Sequence, residues 1–310
     1  MPATLLITGG AGFIGSHLAD EALAGGDRVI VLDSLVTGHR ANVPDGALFL
    51  ERDLREPGLD EILRDERVDV VSHHAAQANV RVSVDHPLAD AEGNVLAGLA
   101  LIEACRRAGV RRLLFASSGG TVYGEQEAFP CDEGHPLRPL SPYGCSKLAI
   151  ESYLGAYERL GDLEPIVLRY ANVYGPRQDA KGEAGIVAIL CEKFLAGERP
   201  KIYGDGRQTR DYVHVRDVAA VQRAVLDEWT PGTYNVGTGL ETPLNEIYAR
   251  IAEGLGQATA PDYRPPNAAE LQRSSLDSSL LRRTFALPAW TALADGLAET
   301  VGWYRERARA

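Results

Sequence analysis

The segment Ser141-Pro142-Tyr143-Gly144-Cys145-Ser146-Lys147 holds a phenol and an ammonium four residues apart. On a helix, i and i+4 side chains share a face. A free phenol titrates near about 10, too high to act as a base at neutral pH. An ammonium beside it favours the phenolate, so the pair can take a proton from an alcohol. With 12 tyrosines and 4 lysines in 310 residues, about 0.15 such pairs arise by chance, so the motif needs a context. Part of it stands upstream, where Leu113-Leu114-Phe115-Ala116 runs into Ser117-Ser118-Gly119-Gly120-Thr121. That is a core-strand pattern ending in small hydroxyls around two glycines.

The rest of the context lies at the start of the chain. The stretch Ile7-Thr8-Gly9-Gly10-Ala11-Gly12-Phe13-Ile14-Gly15 follows an apolar strand and opens a helical pattern. Its glycines fit two spacings, Gly10-x-Gly12-x-x-Gly15 and Gly9-x-x-Gly12-x-x-Gly15. Either spacing gives a tight turn, a close backbone approach at Gly12 and close helix packing at Gly15. A pyrophosphate then sits on the helix N-terminus. Asp33 follows 18 residues after Gly15, at the end of a second strand. There its carboxylate would accept from ribose hydroxyls and repel a 2′-phosphate, which predicts NAD over NADP. Asp53 and Leu54 follow the third strand and can reach the adenine edge. Small Ala75 and Ala76, with Gln77, let the fourth strand end pass close to the cofactor. His73 and His74 are adjacent on a strand and point to opposite faces, so packing is expected of them and a metal site is not. A nicotinamide beside Tyr143 and Lys147 would accept hydride as the phenolate takes the hydroxyl proton.

The elements that position these residues alternate. Strands are expected at 4–8, 28–33, 47–51, 68–73, 110–117 and 164–170, with helices at 13–24, 58–64, 88–108 and 143–160. Alternation implies right-handed crossovers and a doubly wound, Rossmann-type parallel sheet. After about residue 172, Gly and Pro become frequent, and helices are expected at 184–196, 215–228, 243–255 and 290–307. This predicts a cofactor domain of residues 1–171 plus about 212–236. A smaller mixed α/β substrate domain takes 172–211 plus 237–310.

Composition narrows the function classes. A net charge of −11 and a pI near 5.2 disfavour nucleic acid and anionic membrane as partners. No apolar run approaches the roughly 20 residues of a membrane helix, and the N-terminus reads as a strand, not a signal peptide. Four scattered cysteines without a C-x-x-C pattern predict reduced thiols in the cytoplasm, each packed as a small core hydrophobe.

These motifs together resemble the extended short-chain dehydrogenase/reductase family, and within it the UDP-glucose 4-epimerases. The carriers are TGGAGFIGSHL (8–18), Asp33, HHAAQ (73–77), Asn94, SSGGTVYGE (117–125), YGCSK (143–147), RYANVYGPRQ (169–178) and YGDGRQTRDYVHV (203–215). The resemblance spans nearly the whole chain. It implies that Tyr143 removes the proton from a sugar 4-hydroxyl while hydride passes from C4 to NAD, and that Lys147 holds the ribose. The 4-keto sugar swings about its diphosphate link and takes hydride on the other face. Phe13, Ile14, Ser34, Asn94, Ser117 and Tyr170 carry over to the cofactor side. On the substrate side, Asn172 carries over as a diphosphate contact, Arg210 as its neutralising charge and Tyr203 as a uracil contact. A homodimer through the helices near 88–108 and 143–160 is also implied.

This chain departs from the family pattern in two places. Asn267 and Ala269 stand ahead of Glu270 where the family often has an Arg and a Gly, so a phosphate-binding Arg is missing there. Arg273 can replace it or face outward. Ser274 falls where a bulky aromatic can stand beside the sugar, which leaves room for UDP-N-acetylglucosamine. The family's catalytic Ser or Thr falls on Gly119, so the sugar O4 contact passes to Ser118, Thr121 or a water. Alternatives on the same scaffold are a UDP-glucuronate 4-epimerase and a nucleotide-sugar 4,6-dehydratase. The latter wants carboxylates where Gly119-Gly120-Thr121 stand. A non-catalytic NAD sensor would not need Tyr143 and Lys147 together.

Overall fold

The computed structural model describes residues 2–182, 185–257, 259–266 and 271–309. Asn267, Ala269 and Glu270, the positions of the missing phosphate Arg, lie outside the described residues. In chain order the first half comprises β1 (Thr4–Thr8), α1 (Phe13–Ala24), β2 (Arg28–Asp33), β3 (Leu48–Glu51), α2 (Leu59–Asp65), β4 (Val70–His73), α3 (Val80–Asp85), α4 (Pro87–Ala91), a π-turn (Glu92–Leu96), α5 (Ala97–Ala108), β5 (Arg112–Ser118), α6 (Gly119–Val122), α7 (Pro142–Arg159) and β6 (Glu164–Tyr170). There follow β7 (Asn172–Tyr174), α8 (Ile186–Leu195), β8 (Lys201–Tyr203), β9 (Thr209–His214), α9 (Val215–Asp227), β10 (Gly232–Val236), β11 (Glu241–Pro243), α10 (Leu244–Gly254), β12 (Asp262–Arg264), α11 (Ser279–Thr284) and α12 (Leu293–Arg307).

The expected doubly wound sheet is present. Seven parallel strands run in the order β10-β6-β5-β4-β1-β2-β3. Its central strands read as apolar runs because helices cover both faces: Leu5, Leu6 and Ile7 are each at most 1% exposed. One face packs Leu6, Val71, Leu113 and Phe115 against α2, α5 and α7. The other packs Leu5, Ile7 and Val31 against α1. Strand order reverses between β1 and β4, which opens a crevice at their carboxyl ends, where open α/β sheets bind ligands. The registers Thr8↔His73, His73↔Phe115 and Ser118↔Tyr170 bring those ends to one rim.

Beyond β6 the architecture is mixed. β7, β9 and β11 form a small sheet in the order β11-β9-β7, and β12 pairs with β8. A second core of Tyr174, Leu190, Phe194, Ile247 and Val301 joins α8, α10 and α12. The return near 212–236 is split. β10 is the edge strand of the large sheet, whereas β9 pairs with β7 and β11.

Two local features differ from the sequence expectation. The helix expected over 88–108 is interrupted by the π-turn that carries Asn94, and α3 precedes it with Asn79 capping two backbone N–H groups. Cys105, Cys131 and Cys191 are buried as expected, but Cys145 is exposed on α7. Its helix position faces away from the sheet, one residue on from buried Gly144 and one before buried Ser146.

Candidate active site

The cofactor side of the crevice is built from interlocked backbone. Gly9 has φ +68°, and a Cβ there would lie 2.6 Å from Ala75 N, so the β1 turn and the β4 extension touch directly. A Cβ on Gly15 would lie 2.5 Å from Gly9 O, which seats α1 against the turn. Gly12 is the N-cap of α1, with no side-chain cap on the helix's free N–H groups. Asp33 is buried at the end of β2. Its carboxylate accepts from Ala11 N at 3.0 Å and Leu35 N at 2.8 Å, which ties the glycine turn to β2. Phe13 is buried, Ile14 half-buried and Ser34 exposed. These features fit a dinucleotide: a narrow backbone cradle, a helix N-terminus and a carboxylate beside it.

Further along the rim, Gln77 N donates to Asn94 Oδ1 at 2.8 Å and Asn94 Nδ2 returns a bond to Gln77 O at 3.0 Å. Ala75 and Ala76 are half-buried between these anchors. Leu54 is buried. The Asp53 carboxylate is engaged by Arg55 N and Nε, both at 2.9 Å, and the Arg55 hydrogen bonds hold it well below the usual carboxylate range. His73 meets Thr8 Oγ1 through Nδ1 at 2.7 Å, and His74 meets Ser72 Oγ through Nε2 at 2.8 Å. Burial pushes both imidazoles down to about 3, so both are neutral packing groups.

Tyr143 and Lys147 lie in the first turns of α7. Ser141 caps the helix by accepting from Gly144 N at 3.1 Å, and Pro142 occupies its first position. The pair shares a face: Lys147 Nζ lies 5.7 Å from the centre of the Tyr143 ring and 4.8 Å from that of Phe115. Lys147 is 4% exposed and donates to Ala116 O at 2.8 Å. Burial lowers its titration to about 8, against the opposing pull of Asp90 and Glu151. A depressed ammonium beside a phenol suits proton transfer near neutral pH.

The hydroxyl cluster follows β5, the strand whose Ala116 O accepts from Lys147. Ser118 ends β5 and is half-buried, and Thr121 Oγ1 donates to Ser118 O at 3.3 Å. A Cβ built on Gly120 would lie 3.8 Å from Asn172 Oδ1 and 4.0 Å from Ser118 Oγ, so these two side chains flank one glycine-lined space. Gly119 has a packing cause: a Cβ there would come within 2.5 Å of Leu276 Cδ1, in a fully buried cluster with Val122, Tyr123 and Cys131. A hydroxyl residue at 119 would meet that wall. Ser117 turns the other way. It is buried and donates to Glu151, which pairs with Arg169 through Nη2 at 2.6 Å. Tyr170 is likewise buried, and its hydroxyl accepts from Gln222 Nε2 at 2.6 Å.

The remaining candidates lie on the mixed half. Tyr203 is 39% exposed and lines a cavity of about 700 Å³ with Gly204, Gln208, Tyr263 and Gln272. The Arg81 guanidinium from α3 stands 5.4 Å from its ring centre. Arg210 donates to Thr209 O at 2.8 Å. Arg273 is exposed, pairs with Glu241 through Nε at 2.9 Å and lies 3.8 Å over the Phe129 ring. Ser274 is buried and accepts from Gln126 Nε2 at 3.4 Å.

Sequence reasoning missed three members of this neighbourhood: Asp90, Glu151 and Arg169. Asp90 precedes Asn94 by one helical turn and Glu151 follows Lys147 by one. That i,i+4 spacing was the available signal.

The chain's resemblance to known proteins agrees with this geometry. Residues 5–237 match the NAD dependent epimerase/dehydratase family. A UDP-glucose 4-epimerase of Mycolicibacterium smegmatis is 44% identical over 310 residues, covering 98% of this chain and 99% of the relative. The UDP-glucose 4-epimerase of Thermus thermophilus, solved in complex with NAD, superposes with a TM-score of 0.92 at 45% identity over 97% of this chain and 99% of that one. That of Thermotoga maritima, solved with UDP-glucose, gives 0.95 at 40% identity over 98% and 99%. The chain belongs to the NAD-dependent epimerase/dehydratase family of extended short-chain dehydrogenases/reductases.

Proposed function

We propose that the protein is an isomerase that inverts C4 of a UDP-hexose, interconverting UDP-galactose and UDP-glucose with NAD. The single observation that carries the reading is the Tyr143–Lys147 pair on α7, with Lys147 bonded to Ala116 O of β5 and with Ser118 and Asn172 flanking Gly120 just past the end of that strand. Bound NAD supplies a hydride acceptor, and then donor, for the sugar C4. Tyr143 takes the 4-hydroxyl proton, with Lys147 favouring its phenolate, and returns the proton after the sugar has turned over. Ser118, with Thr121 behind it, holds O4. Gly120, between Ser118 and Asn172, leaves the ring room to rotate about its diphosphate link.

Asn172 and Arg210 hold the diphosphate by charge-assisted bonds, and Tyr203 receives the uracil in the adjoining cavity. Residues 1–171 with about 212–236 serve the cofactor, and 172–211 with 237–310 serve the nucleotide sugar. An eliminating lyase would need an acid and a base at 119–121, and Gly119, Gly120 and Thr121 provide neither. The working form is a homodimer through the helices near 88–108 and 143–160, along which Leu88, Leu96, Tyr153 and Leu160 are exposed. Its place is the cytoplasm, in keeping with four unpaired cysteines.

The test is proton NMR of purified protein with UDP-galactose and no added reductant. UDP-glucose should form to equilibrium. Stoichiometric NADH, or an unchanged sugar, overturns the reading.

A further inference from the structure

Asp90 is 1% exposed, at the end of α4. Its Oδ1 accepts from Gln77 Nε2 at 2.9 Å and from Asn94 Nδ2 at 3.0 Å, and its Oδ2 accepts from Ser146 Oγ at 2.6 Å. Three separate elements therefore meet at one carboxylate: the β4 extension, the π-turn and the catalytic helix. π-turns concentrate at functional sites because they re-aim a side chain. Here the π-turn presents Asn94 to Gln77 on one side and to Asp90 on the other. Ser146, the third partner, immediately precedes Lys147.

The charges around Lys147 sharpen the role of this hub. From α7 it faces Tyr143 and Glu151, and Glu151 is already neutralised by buried Arg169. His73 at the end of β4 and His74 just after it are both neutral. From α4 comes Asp90, bonded to Ser146 beside Lys147 in the chain, and its three hydrogen-bond donors are all uncharged. A buried ammonium needs a nearby anion to stay charged, and a hydrogen-bonded carboxylate is well suited to provide one.

We propose that Asp90 is a positioning residue: it locks the Tyr143–Lys147 helix to the Gln77–Asn94 shelf and is the counter-charge that keeps Lys147 an ammonium. The proposal rests on the roles given to Tyr143 and Lys147 above. Asp90→Asn separates charge from geometry. Its Oδ1 can accept from Gln77 and Asn94, and its Nδ2 can donate to Ser146, whose hydroxyl rotates to accept. Ser146→Ala does the reverse, removing a hydrogen bond and keeping the charge.

The chain has only four lysines, so 13Cε-lysine NMR follows Lys147 directly, with Lys147→Gln as the assignment control. Wild-type Lys147 should titrate near 8. In Asp90→Asn it should titrate lower by about one pH unit, the low end of the scale for a lost opposite charge, and in Ser146→Ala it should stay in place. Asp90→Ser is the second charge-free variant should the amide not fold, and Asp90→Glu should restore the wild-type value. In turnover, the alkaline limb of kcat/KM should move down by the same amount in the charge-free variants, because activity needs the charged lysine. A Lys147 titration at the wild-type value in the charge-free variants, or an equal shift in Ser146→Ala, overturns the proposal. The titration needs no turnover, so a protein that fails to epimerise would sink the functional reading and still leave this test decisive.

Discussion

The two walls of the crevice are built on opposite plans. On the β1–β4 side the carboxylates and carboxamides are tied to neighbouring groups. Asp33 holds the backbone of Ala11 and Leu35, Gln77 and Asn94 exchange two bonds, and Asp90 takes three. On the β5–β7 side, Ser118 and Asn172 flank Gly120 with room for a methyl, and Tyr203 stands 39% exposed beside a cavity of about 700 Å³. A wall that keeps one ligand through many turnovers benefits from a frame whose groups are already satisfied, since no reorganisation follows binding. A wall that must release and re-accept a sugar on either face benefits from few fixed contacts.

Breaking the chemistry without touching the frame should have the largest effect. Tyr143→Phe removes the proton acceptor, and kcat should fall at least about 10²-fold while NAD content after purification stays at the wild-type level. Near-normal turnover would remove Tyr143 from the mechanism. Loss of NAD would mean that the two walls are not independent.

A smaller effect is expected where the loose wall meets its own core. Gly119→Ala drives a methyl against Leu276, and overpacking of this kind costs about 1–3 kcal/mol. Urea unfolding should therefore show a lower midpoint, with kcat reduced less than in Tyr143→Phe. An unchanged midpoint would mean that Leu276 yields freely and that glycine at 119 has another cause.

What was legible in the sequence was what depends on short-range pattern. The turn around Gly9, Gly12 and Gly15, the carboxylate of Asp33 at a strand end and the Tyr143–Lys147 spacing each follow from a local period or a local strand–turn–helix order. The hub at Asp90 does not. Its bond to Ser146 spans 56 residues and exists only because parallel crossovers bring α4 beside α7. The π-turn was hidden because a one-residue bulge leaves the apolar helical period almost intact. The reason for Gly119 was hidden too, since Leu276 lies far along the chain and reaches β5 through the pairing of its segment with Cys131. Ser117 and Tyr170 are expected on the cofactor side. Their side chains join buried networks with Glu151 and Gln222, because alternation along a strand sends neighbouring side chains to opposite faces.

In the proposed reaction hydride leaves and returns to the same carbon, and the hydrogen at C4 never exchanges with solvent. UDP-galactose deuterated at C4, incubated with the purified protein in ordinary water, tests it directly. The account predicts UDP-glucose with the deuterium retained at C4 and no accumulating NADH. Loss of the label to water would contradict it.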